Sequence, residues 1–182
     1  KELLAKINPY RIWNAPLLRS LTGFVLFMAT FWRFLFAPDL HTLEIAYESI
    51  FLSLQLLIGL ALVAGFFPRF VSGIGLLLYL GAFFVFPFMD VIPYISLAGI
   101  FTYLLIMGDP TLPNVGGFFK AFEKVKEFLK RLEPHAPSIL RISMGLALII
   151  GGAYYKIYEP GYALEFVRTH YVNFLPDIGL NF

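Results

Sequence analysis

Four polar residues interrupt otherwise apolar sequence: Arg33, Glu48, Gln55 and Lys156. Ionisable groups set among apolar helices are costly, and they are functional candidates by default. Glu48 and Gln55 are seven residues apart, so on a helix they share one face, with Gly59 one turn further on. At about 100° per residue, Arg19, Gly23, Thr30 and Arg33 fall in one narrow stripe. An Arg33–Glu48 ion pair is expected, because burying either charge alone is expensive. Two chemistries fit this set. One is a polar pocket that takes a quinone headgroup or a small anion. The other is structural, with cations snorkelling at helix ends and one ion pair pinning a bundle. Glu48 and Gln55 are the stronger functional candidates, since neither is a simple end anchor.

Other chemistries find little support. The chain has no cysteine, which excludes disulfides, thiolate metal sites and a Cys nucleophile within it. His41, His135 and His170 all fall outside the long apolar runs, so a haem between facing helices is not expected, nor is a metal site. No phosphate-binding Gly-rich loop or Ser-His-Asp pattern occurs.

The elements that must position these residues are membrane helices. Of 182 residues 59% are hydrophobic, and the mean hydropathy is +0.76. Soluble domains are roughly 45–50% apolar, so the composition points to an integral membrane protein. Five segments read as spans: 17–37, 45–67, 70–88, 91–107 and 139–158. A crossing needs about 20 apolar residues, which makes the fourth segment short. Tight connections at Pro68-Arg69 and Met89-Asp90 force antiparallel neighbours. The expected fold is therefore all-α, a polytopic transmembrane bundle with five spans and one interfacial amphipathic helix. Residues 1–108 form a four-helix unit, 109–137 a cytoplasmic loop and basic helix, and 138–182 a fifth span with an outer-face tail.

Basic residues set the orientation. With the N-terminus in the cytoplasm, only Arg33, Lys156 and Arg168 of the 14 Lys and Arg residues lie outside. Asp90 joins Arg33, Glu48 and Lys156 near the outer surface. In the long polar connection, Phe118, Phe119, Phe122, Val125, Leu129 and Leu132 share one helical face, and Lys120, Lys124, Lys126, Lys130 and Arg131 surround the rest. This helix reads as lying in the inner interface with its lysines on anionic headgroups, or as a docking site for a partner. Nothing in the charge pattern resembles a nucleic-acid surface; the expected partners are the bilayer and other membrane subunits.

Residues 17–38 are echoed at 139–160: Leu18, Arg19, Gly23, Leu26 and Pro38 recur as Leu140, Arg141, Gly145, Leu148 and Pro160. Duplication explains this, as does the shared grammar of two membrane helices. The stretch QLLIGLALVAGFFPRF, with Gly59, Gly65 and Arg69, resembles the second helix of the DoxX-like (DoxD-like) family, although Gln55 stands where that family usually has Glu. Arg19, Gly23, Arg33 and Pro38 resemble its first helix, and so do Arg141, Gly145, Gly151, Gly152, Lys156 and Pro160. The resemblance implies a four-helix bundle in a bacterial or archaeal inner membrane, with the fifth span starting a second unit of a longer parent. It also implies an accessory role in a quinone-linked respiratory or sulfur-oxidation system, for which a bound quinone is the candidate ligand. The alternative is a non-catalytic scaffold or assembly subunit of a larger membrane complex.

Overall fold

The computed structural model describes residues 2–36, 40, 48–108 and 127–153, with side chains from Ala15 onward. These residues are helical, with no strand longer than a single bridging residue among them. The helices are α1 (Glu2–Phe31), α2 (Glu48–Ala64), α3 (Pro68–Ala82), the short α4 (Phe88–Val91), α5 (Ile95–Met107) and α6 (Ala136–Ala153). In packing order α1 lies on α2, α2 on α3, and α3 on α5; α5 also touches α1 and carries α6 on its other side.

Among the described residues the helices do not confirm five full spans. Two stretches are long and apolar enough to cross a membrane, Phe88–Met107 and Glu127–Ala153. Ala15–Phe31, Glu48–Ala64 and Pro68–Ala82 are apolar but shorter. At the ends of α1 and α3, apolar residues that hydropathy counts as span build turns instead. Phe31 ends α1, and the backbone reverses over 32–36; α3 stops at Ala82, before the turns at 83–86 and Pro87. Proline disfavours helical geometry at the residue before it, so Phe86-Pro87 is a natural stop. The 15 residues of α3 cover only about 22 Å at 1.5 Å per residue. The fourth segment departs the other way. A 3₁₀ turn at Ile92–Tyr94 joins α4 to α5, and the 20 residues of Phe88–Met107 form one of the two long stretches.

The basic helix and the fifth segment are also joined more closely than expected. Residues 127–132 are helical and pass through a 3₁₀ turn, Glu133–His135, directly into α6. Pro134 and Pro137 sit in first turns, where a missing N–H costs nothing. Leu129 is buried and Leu132 packs against the core, as the helical face predicts, while Phe128 is exposed. The other residues assigned to that face lie outside the described residues.

Small residues set the closest approaches. At the crossing of α1 and α2, a Cβ on Gly23 would come within 2.7 Å of the Gly59 carbonyl oxygen. A Cβ on Gly59 would come within 2.9 Å of the Gly23 carbonyl oxygen. Backbone cannot step aside, so this crossing needs glycine on both helices. Gly75 receives the Phe101 ring, and Gly99 receives Ser143. Among the described residues, a Cβ on Gly145, Gly151 or Gly152 of α6 would meet nothing within 4 Å.

Candidate functional site

Two expected stripes meet along the α1–α2 contact in three antiparallel rungs: Gly23 with Gly59, Thr30 with Gln55, and Arg33 with Glu48. The last rung forms because α1 ends in a left-handed cap. The Phe34 N–H donates to the Ala29 carbonyl and the Arg33 N–H to the Thr30 carbonyl, with Arg33 at φ +58°. A left-handed backbone is unusual for a residue with a Cβ. Here it coincides with a bidentate ion pair. Arg33 Nε donates to Glu48 Oε1 and Nη2 to Oε2, each at 2.7 Å. The hydrogen bond to Glu48, reinforced by its negative charge, pushes the Arg33 pKa above the usual guanidinium value. A raised pKa means the contribution is complete below the ordinary value and is lost only as pH rises through the folded one. Arg33 therefore stays charged at any working pH.

Gln55 is fully buried beneath this pair. Its Oε1 accepts from the Phe36 N–H at 2.9 Å. Its Nε2 donates to the Phe34 carbonyl at 2.9 Å and is shared between the Leu26 carbonyl and Thr30 Oγ1, both at 3.2 Å. One side chain thus accepts from the buried Phe36 N–H and donates to carbonyls at the end of α1 and in the following reversal. Beyond it the Leu35 N–H donates to the Leu40 carbonyl at 2.9 Å, and Leu35 and Leu40 are buried. Phe36 lies 6.1 Å from the Tyr79 ring, and Tyr79 meets Phe83 edge-on at 5.4 Å, which ties the reversal to α3.

Lys156, Lys120, Lys124 and Lys126 lie outside the described residues. Lys130 and Arg131 are exposed and, with Glu127, line a shallow open depression. Among the described residues, no three His, Asp or Glu side chains are grouped closely enough to hold a metal ion.

Sequence reasoning did not single out the opposite end of the bundle as a site. There α2 finishes in the same cap, with the Phe66 N–H on the Ala61 carbonyl, the Gly65 N–H on the Leu62 carbonyl, and Gly65 at φ +78°. The Arg19 guanidinium lies over this glycine, so that a Cβ there would fall 2.9 Å from Cζ. Arg69 Nη2 donates to the Ile106 carbonyl at 3.0 Å and stands 4.0 Å from Glu133 Oε1. Arg19 and Arg69 read as ordinary end-of-helix cations. The available clue was that Gly65, a natural helix stop, falls four residues before Arg69.

Against known proteins, no family model, curated protein or solved structure matches the chain. The likeness to the DoxX-like family rests on the sequence motifs alone.

Proposed function

We propose that the chain is an integral membrane protein acting as a non-catalytic scaffold or assembly subunit of a larger membrane complex. The observation that carries this reading is an exposed apolar face on α6. Gln55 and Ser72 are fully buried, whereas α6 turns Ile142, Leu148 and Ile149 outward at 63, 79 and 67% exposure. An apolar face of that kind needs lipid or another subunit against it. The best-placed polar groups are already engaged, Arg33 with Glu48 and Gln55 with backbone. That favours a structural use of them over capture of a substrate. The basic-residue bias supports a cytoplasmic N-terminus in an inner membrane.

Membrane extraction at alkaline pH, followed by gentle purification, tests the reading. The chain should resist extraction and co-purify with stoichiometric partner subunits. Release into the soluble fraction would overturn it. A stoichiometric quinone, lost on Glu48→Gln, would instead favour the quinone-linked accessory role that the DoxX-like resemblance implies.

A further inference from the structure

Three buried side-chain polar atoms among the described residues have no hydrogen-bond partner: Arg19 Nε, Arg69 Nε and Ser72 Oγ. All three belong to the end of the bundle where α2 turns into α3. Arg19 lies over Gly65, Arg69 is the second residue of α3, and Ser72 follows it by one turn on the same face. Among the described residues no comparable atom occurs at the Arg33 end. Arg19 makes no hydrogen bond or ion pair with any described residue. Arg69 uses one N–H on a backbone carbonyl, and its nearest carboxylate, Glu133, is half exposed at the 4.0 Å limit of an ion pair. Among the described residues, Arg69 thus has one carboxylate at the ion-pair limit and Arg19 has none. A charge drawn out of water without a counter-charge is strongly disfavoured. Arginine presents a planar fork of donors that suits phosphate oxygens.

We propose that the Arg19–Arg69 corner, flanking the Gly65–Pro68 turn, binds a phosphate group, carried by an anionic phospholipid of the leaflet at that end. This inference rests on the membrane reading above. Gly65 belongs to the site because any larger residue would push the Arg19 guanidinium off the turn. Arg19 supplies a fork with no described acceptor, and Arg69 the N–H groups that Ile106 does not use. The site is distinct from the surface lysines of the basic helix, since its donors come from α1 and α3.

The full chain in neutral detergent is titrated with phosphatidylglycerol, phosphatidylcholine and inorganic phosphate, reading lipid adducts by native mass spectrometry and the thermal midpoint. Phosphatidylglycerol should be retained over phosphatidylcholine, and Arg19→Gln should cut that preference about fivefold, as expected for one arginine at an anionic surface. Arg33→Gln should leave it unchanged. Arg19→Lys, which keeps the charge but not the fork, should give an intermediate value. A lipid preference that survives excess inorganic phosphate places the phosphate on a lipid. Stabilisation by inorganic phosphate, without lipid preference and lost in Arg19→Gln, places it in solution; both results support the site. Wild-type protein that responds to neither overturns it, even if Arg19→Gln fails to fold, and so does an equal loss in Arg33→Gln. Alkaline extraction of the same wild-type protein separates the two readings. A chain that stays in the membrane without anion preference refutes only the site, whereas a chain that is extracted refutes the membrane reading.

Discussion

Helices α1 and α2 end in the same left-handed cap, one on Arg33 and one on Gly65, but the two ends of the bundle are completed differently. At the Arg33 end the cap residue carries its own charge, Glu48 neutralises it, and Gln55 closes the backbone groups beneath. At the Gly65 end the cap residue has no side chain, and the charge lies over it from another helix, Arg19, with no acceptor among the described residues. The first arrangement is self-sufficient. The second leaves positive charge for something outside the described chain. Identical backbone geometry therefore says little about function; which residue occupies the left-handed position, and what reaches over it, makes the difference.

This contrast is open to direct attack. The largest effect is expected for Gln55→Leu, which takes the acceptor from the buried Phe36 N–H. At about 1–3 kcal/mol for a buried group left without a partner, a loss of about 1–3 kcal/mol is expected in thermal or denaturant unfolding in micelles. A loss below about 1 kcal/mol, the net worth of one ordinary hydrogen bond, would mean that Gln55 does not hold the Arg33 end together. Next is Gly65→Ala, which places a Cβ at φ +78° and against Arg19. It should cost about 1–2 kcal/mol from the left-handed backbone and should weaken anion preference in the same protein. Retained anion preference would uncouple the cap from the Arg19 fork. Glu48→Gln should lower the midpoint less than either, with the difference shrinking as salt is added, because Arg33 is solvent-exposed. A salt-independent loss would show that the pair acts as if buried. The smallest effect is expected for Arg33→Gly. It removes the ion pair but relieves the left-handed cap, so the midpoint should hardly move. If it matches Gln55→Leu, the ion pair and not the amide is the fastening.

The two helix stripes were legible before any coordinates, because periodicity alone puts Gly23, Thr30 and Arg33 on one face and Glu48, Gln55 and Gly59 on another. Antiparallel packing then pairs them in order. The role of Gln55 was not legible. Its partners are backbone groups brought to it by the reversal after Phe31, and hydropathy counts those turn residues as span. The same counting error lengthened α3 and hid the capacity of Phe88–Met107, whose first turn is separated from α5 by Pro93. The run of α1 through Pro9 and Pro16 ahead of the apolar stretch was not foreseen either. Proline is read as a stop, and local sequence does not reveal when a helix tolerates it. The Arg19–Arg69 corner was missed for a different reason. A cation at a helix end is so common that only the absence of an acceptor distinguishes it, and that absence is a three-dimensional fact.

The three rungs between α1 and α2 also bear on how the molecule is made. Every contact in the ladder joins the first helix to the second, and none waits for later sequence. Contacts between neighbouring elements form fastest. The hairpin can therefore close as soon as α2 has left the ribosome, with its one buried amide already satisfied. Helices α1 and α2 can then act as a pair, giving α3, α5 and α6 a finished wall to assemble against.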